Sequence, residues 1–228
     1  MNVWVVLALV AIAAYLLGSI PTGYWAGRIL KGIDIRQYGS KATGATNVLR
    51  ILGRGPAIVV LLVDIFKGVV AIALTRWVYS LPSIAATVPP TVALSLWVAW
   101  VATLAGLLAI FAHSKSIWIG FKGGKSAATG LGVLFALSWQ VGLVAATVFI
   151  LVVLLTRIVS LGSILTAIAA PLLMLLFQQP LPYLLLAIAG GAYVLMTHRA
   201  NIQRLLAGAE PKLGQPQKRK EEKKGKNE

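Results

Sequence analysis

The sequence predicts an all-α, polytopic membrane helix bundle of seven transmembrane helices, with the N-terminus outside and the C-terminus cytoplasmic. Three observations predict it. Of 228 residues, 58% are hydrophobic and only 12% charged, with a mean hydropathy of +0.85; a soluble domain carries about 25% charged residues. The apolar residues gather into long runs, and a helix of roughly 20 residues crosses a hydrocarbon core of about 30 Å. The Lys and Arg residues behind the net charge of +15 fall almost entirely between those runs.

Met1–Ile20 is almost wholly apolar, and the first basic residue is Arg28. The basic n-region of a signal peptide is missing, so this run reads as a retained first helix. Pro56–Tyr79 and Thr91–Ala112 are the next spans. Ser126–Thr156 has 31 residues, about 46 Å as one straight helix. Ser138-Trp139-Gln140 near its middle, with Gly142 just after, suits a tight hairpin between halves of about 15 residues, short for a span. Ser160–Phe177 and Leu181–Thr197 complete the set.

Hydropathy leaves Ser126–Thr156 open as one span or two; charge decides, because Lys and Arg concentrate in cytoplasmic loops. With seven spans and the N-terminus outside, segments 21–55, 112–125, 157–159 and 198–228 are cytoplasmic. They hold 6, 3, 1 and 9 Lys or Arg residues, 19 of the 21 in the chain. With six spans, Arg157 and the basic tail would lie opposite the first two basic loops. Residues 1–210 therefore form one membrane-integral unit. Residues 211–228, with seven basic and three acidic residues, form a basic, disordered cytoplasmic tail that can touch anionic lipid headgroups.

Composition also narrows the chemistry. The absence of cysteine excludes a disulfide framework, a thiolate nucleophile and a Cys-ligated metal. Two histidines and six acidic residues make a metal cage improbable, and no metal or organic cofactor is expected. The apolar bulk argues against nucleic acid as the partner of the basic charge. Anionic lipid or small phosphorylated substrates remain.

The cytoplasmic loops carry the candidates. Gly39–Arg50 combines Gly39 and Gly44, whose backbone can approach a ligand and present N–H groups as an anion nest, with Ser40, Thr46, Asn47 and the guanidinium of Arg50 as further donors. A tight turn with a helix cap explains the same residues equally well. Lys122-Gly123-Gly124-Lys125 enters a helix N-terminus, a plausible phosphate cradle. It is not a nucleotide P-loop, because Ile119 stands where that pattern needs glycine and no strand precedes it. Ser160 and Ser163 follow Arg157, and His198 and Asn201 share one helix face. In the second span Asp64 and Lys67, three residues apart, are read as a mutually satisfying ion pair. Neither histidine fits His-x4-Asp, the base motif of many thioester-dependent acyltransferases.

Gly39–Arg50, Phe121–Gly130 and His198–Leu206 resemble the three signature regions of the bacterial acyl-phosphate:glycerol-3-phosphate acyltransferases, and Gly18–Tyr24, Asp64–Gly68, Arg157–Ser163 and Gly208–Lys212 also look familial. The resemblance runs to about Gly214. It implies a bacterial inner-membrane enzyme with a cytoplasmic active site. Its substrates would be acyl phosphate and glycerol 3-phosphate, and its products lysophosphatidic acid, acylated at the sn-1 hydroxyl, and inorganic phosphate. Membrane lipids would surround it, and no obligatory protein partner is implied. It assigns catalysis to Ser40, Arg50 and His198. Substrate binding falls to Gly39, Gly44, Thr46, Asn47, Lys122, Gly123, Gly124, Lys125, Ser160, Ser163 and Asn201. Three departures stand out: Ala42 replaces a usual asparagine, Ser126 a usual glycine, and His113 is followed by Ser-Lys-Ser-Ile instead of a Phe-Pro element. The competing reading, a phosphate-ester transporter, would place substrate groups near the bilayer midplane, often between inverted repeats; here only Asp64 and Lys67 lie deep.

Overall fold

A computed structural model of the chain describes residues 2–214. Among them the regular structure is wholly helical. Asn2 caps α1 (Val3–Ser19) by accepting from the Trp4 N–H at 2.9 Å, and Pro21 stops it. The amphipathic α2 (Thr22–Lys31) ends at Gly32, whose φ of +67° sets up the 5→1 and 6→1 backbone bonds of a helix C-cap. A loop leads to α3 (Ala45–Leu52), and Gly53 (φ +91°) turns the chain into α4 (Arg54–Ser80), the longest element at 27 residues. The short α5 (Pro82–Ala85) precedes α6 (Leu94–Ser114). Then come α7 (Ala127–Leu137), α8 (Trp139–Thr156), α9 (Val159–Leu176), α10 (Leu181–Thr197) and α11 (Arg199–Leu206).

Five stretches among the described residues are long and apolar enough to cross a bilayer: Val3–Lys31, Arg54–Ser80, Leu94–Ile119, Trp139–Thr156 and Val159–Leu176. They become six if α10 and α11, bent by 64°, count as one span. Each apolar run expected from the sequence forms a helix, but Ser126–Thr156 divides unequally. The break falls at Ser138, leaving 11 residues in α7 and 18 in α8. At about 16 Å, α7 is shorter than the usual span. The turn is tight because Gly142 faces the Phe135 backbone; a Cβ there would lie 2.5 Å from Phe135 Cα. Arg76 caps the C-terminal end of α7, donating to the Ala136 carbonyl at 2.6 Å and the Leu137 carbonyl at 3.2 Å.

Within a membrane, helices associate through close packing of small residues instead of a hydrophobic drive. The α4–α7 contact shows it. Gly68 lies against the Thr129 carbonyl and Gly132 against the Ile65 carbonyl, with no room for a side chain at either position. Gly18 brings α1 equally close to Ala109 of α6. Large apolar side chains such as Leu154, Leu155 and Leu176 point outward, 71% to 84% exposed, as a lipid-facing surface requires. The Asp64–Lys67 pair predicted from spacing is formed at 3.0 Å, buried in α4, and Lys67 also donates to the Ile20 carbonyl at 3.0 Å.

Candidate active site

A cavity of about 550 Å³ runs from one polar end of the bundle into its apolar interior. Ser40, Arg50, Lys125, His198, Asn201 and Glu210 line its polar part. Its apolar walls come from helices α6, α7, α9 and α10, through residues such as Ile110, Leu134, Ala170 and Leu186. Ala187, Gly190 and Gly191 line it from α10, and Gly191 lets α10 approach the Ala167 carbonyl of α9.

The loop before α3 is built around Asn47. This side chain is buried, accepts from the Ser40 N–H at 2.8 Å, and donates to the carbonyls of Ile35, Tyr38 and Ala42 at 3.1, 3.1 and 2.8 Å. Its donors are fully engaged, so Asn47 shapes the loop that presents Ser40. Gly39 adopts φ +57° in that loop; Gly44, at the N-cap of α3, faces open space beside the cavity. Thr46 and Arg50 line the cavity from α3. Burial pulls the Arg50 guanidinium below its usual pKa.

The glycine loop divides its residues between two places. Lys125 enters the cavity, donating from Nζ to Asn201 Oδ1 at 2.5 Å, while its carbonyl accepts from the Thr197 hydroxyl at 3.0 Å. Burial lowers its pKa to about 8, with Arg204 and Arg50 adding to the fall and Glu210 opposing it. Lys122 and Gly123 instead line a second pocket with Asp34, Arg36 and Lys41. The N–H groups of Gly123 and Gly124 donate to the carbonyls of Ser114 and His113 at 2.9 and 3.0 Å, which removes them from any anion nest. Ser126, at φ +66°, bonds the Ile110 carbonyl at 2.5 Å and the Ser114 hydroxyl at 2.8 Å. Those bonds explain how a serine is held in a left-handed conformation that favours glycine.

Glu210, absent from the sequence-based candidates, organises the third wall. Its Oε1 accepts from Ser160 at 2.7 Å and from Asn201 Nδ2 at 2.6 Å; its Oε2 pairs with Arg204 Nε at 2.7 Å. Burial alone would raise its pKa, but these donors outweigh it and hold the carboxyl below the usual range. Asn201 is thereby fixed in orientation, oxygen to Lys125 and nitrogen to Glu210. Pro211 and Leu213 also line the cavity, and the Leu213 N–H donates to the Arg157 carbonyl at 2.7 Å. Pro211 and Leu213 of the expected tail thus reach the cavity wall, and residues 215–228 lie outside the described residues. Ser163, also on the cavity wall, donates to the Val159 carbonyl at 3.1 Å.

His198 sits just past α10, with Nδ1 2.8 Å from the Val194 carbonyl. A carbonyl only accepts, so Nδ1 carries the proton and Nε2 keeps its lone pair. Burial lowers the His198 pKa to about 4, so the ring is neutral near pH 7. Of the expected residues, Ser40, Gly44, Thr46, Asn47, Arg50, Lys125, Ser160, Ser163, His198 and Asn201 meet at this cavity; Gly39, Lys122, Gly123 and Gly124 are not among its lining residues. Arg54, Asp64, His113, Arg204 and Glu210 are charged or titratable additions. The stretch Gly208–Lys212 drew notice in the sequence, but nothing local shows that Glu210 reaches Ser160, fifty residues away.

A glycerol-3-phosphate acyltransferase family model matches residues 8–208. The chain belongs to this family. Glycerol-3-phosphate acyltransferases of Trichormus variabilis and Nostoc are 56% and 58% identical, over 94% and 90% of this chain and 96% and 91% of theirs. Among solved structures, crystal forms of PlsY (YgiH), an integral membrane glycerol 3-phosphate acyltransferase, are similar at 37% identity. The glycerol 3-phosphate form has a TM-score of 0.76, covering 91% of this chain and 96% of that one. The lysophosphatidic acid form has a TM-score of 0.75 with 91% and 95% coverage. Within the family fold, the Ala42 departure costs the loop nothing visible, because Asn47 uses the Ala42 main-chain carbonyl and not its side chain.

Proposed function

We propose that this protein transfers a fatty acyl group from acyl phosphate to the sn-1 hydroxyl of glycerol 3-phosphate, releasing lysophosphatidic acid and inorganic phosphate. One observation carries the reading: a single cavity joins a cationic, hydroxyl-lined end to an apolar wall between helices. Such a cavity matches a molecule with an anionic head and a hydrocarbon tail. In this reading the chain crosses a bacterial inner membrane seven times, N-terminus outside, with the cavity mouth cytoplasmic. Acyl phosphate and glycerol 3-phosphate are the substrates, and neither metal nor organic cofactor takes part.

Two phosphates brought close repel, and charge-assisted hydrogen bonds from Arg50 and Lys125 offset that repulsion. Ser160 and Asn201 are held by Glu210 and supply orientation. Ser40 donates to a phosphoryl or carbonyl oxygen. The glycerol hydroxyl attacks the acyl carbonyl carbon, forming the ester C–O bond as the C–O bond to phosphate breaks. His198, neutral with Nε2 unprotonated, accepts a hydrogen bond from that hydroxyl and orients it. With a pKa near 4 it is a weak base, so the proton passes to the leaving phosphate. Among the described residues no base is hydrogen-bonded to the Ser40 hydroxyl, so Ser40 is read as a donor and not as a covalent nucleophile.

Purified Arg50→Ala and His198→Ala variants test the site. Each should lose about 100-fold or more of the acyl transfer rate, Arg50→Ala because a charge-stabilising donor is removed and His198→Ala because the attacking hydroxyl is no longer oriented, while unfolding at the wild-type temperature. Wild-type turnover in either variant removes that residue from the mechanism.

A further inference from the structure

The loop that carries Lys125 stands on His113. This buried histidine lies at the end of α6. Its carbonyl accepts the Gly124 N–H, and the neighbouring Ser114 carbonyl accepts the Gly123 N–H. A Cβ at Gly123 would strike the His113 carbonyl; one at Gly124 would strike the imidazole, whose Nε2, Cδ2 and Cε1 are its three nearest atoms. The ring's other nitrogen, Nδ1, makes no hydrogen bond and lies 3.6 Å from Asp64 Oδ1. Asp64 is held by Lys67, and Lys67 by the Ile20 carbonyl at the α1–α2 corner. A rigid chain of contacts thus runs from that corner through α4 and α6 to the glycine loop. Burying an imidazole nitrogen without a hydrogen bond is costly, so a purely space-filling role would favour an apolar residue here.

We infer that His113 is a positioning residue for the reaction: its ring and carbonyl set Gly123 and Gly124, and through them the direction from which Lys125 enters the cavity. The two glycines are glycines because His113 occupies the space a side chain would need. The inference rests on the proposed function only for what Lys125 binds, a phosphorylated substrate.

His113→Ala, Gly124→Ala and the double variant, made in the full chain, test it by kinetics in both substrates, calorimetric binding of glycerol 3-phosphate and thermal unfolding. Gly124→Ala should lower kcat/KM by about 100-fold, since a displacement of about 1 Å can cost that much. His113→Ala should raise KM for a phosphorylated substrate by about 10-fold with kcat little changed, because Lys125 is misplaced but intact. The double variant should regain about 10-fold over Gly124→Ala, because the ring that the new methyl strikes is gone. Should His113→Ala not accumulate, His113→Asn, which keeps a polar atom beside Asp64 and clears the space under Gly124, enters the same cycle. Kinetic constants and glycerol 3-phosphate affinity in the His113 variant equal to wild type, or losses that multiply in the double variant, overturn the inference. A wild type that binds glycerol 3-phosphate yet does not turn over acyl phosphate refutes the donor assignment instead, and the binding arm still decides the role of His113.

Discussion

Lys125 is the cation whose charge this cavity controls most closely. A lysine held near pKa 8 is protonated at neutral pH and loses its proton as pH climbs through 8, well before an ordinary lysine near 10.4 does. His198, near 4, is neutral across that window and contributes no titration to it. Affinity for glycerol 3-phosphate should therefore fall above about pH 8. In Lys125→Arg, whose guanidinium stays charged, the fall should vanish. Calorimetric titrations from about pH 6.5 to about pH 9.5, roughly one and a half units either side of 8 and below the ordinary lysine range, check this; the same decline in Lys125→Arg excludes Lys125 as its source. Much of this residue-level picture was legible in sequence, because small residues, hydroxyls and cations recur in the basic loops. Its division of labour was not. That Lys125 enters the cavity while Lys122 faces another pocket depends on the turn through Gly123 and Gly124, and that Asn47 spends its amide on the loop depends on three carbonyls it meets only after folding.

Helices α4 and α7 meet backbone to backbone, and the site inherits its geometry from that contact, since α7 begins just after Lys125. Gly132→Ala should force α7 off the Ile65 carbonyl and cost about 1–3 kcal/mol, the usual range for overpacking. Gly130→Ala, two residues earlier, meets only the Ile110 side chain at 3.9 Å and should leave stability nearly unchanged. Thermal unfolding in detergent compares the two; equal unfolding temperatures would mean the α4–α7 seam is not close-packed. Long apolar runs made α1, α4, α6, α9 and α10 easy to locate, since hydropathy averages over some twenty residues. The 11-residue α7 escaped such an average. Its boundary at Ser138 falls where Ser138-Trp139-Gln140 and Gly142 suggested a hairpin, but the Gly142 contact with Phe135 and the capping by Arg76 from another helix are not local signals.

Across the whole molecule, the polar clusters of four separate segments converge at one end of the cavity, while Arg76, the end of α7 and Tyr183 meet elsewhere, with Arg76 Nη2 3.4 Å from the Tyr183 hydroxyl. In the proposed seven-span topology, with the N-terminus outside, the first group would face the cytoplasm and the second the outside. The absence of cysteine gives a clean test, since each introduced thiol is the only one in the chain. Cysteines at exposed Lys31, Lys115 and Arg199 should react with a membrane-impermeant reagent only after the cytoplasmic side is opened. Those at Thr91 and Gln178 should react in intact cells; the reverse pattern would invert the topology. The central claim, however, concerns the acyl donor. Purified protein supplied with glycerol 3-phosphate and, in parallel, palmitoyl phosphate or palmitoyl-CoA should form lysophosphatidic acid with equimolar phosphate release from the acyl phosphate alone. Turnover with the thioester and none with the acyl phosphate would contradict the account.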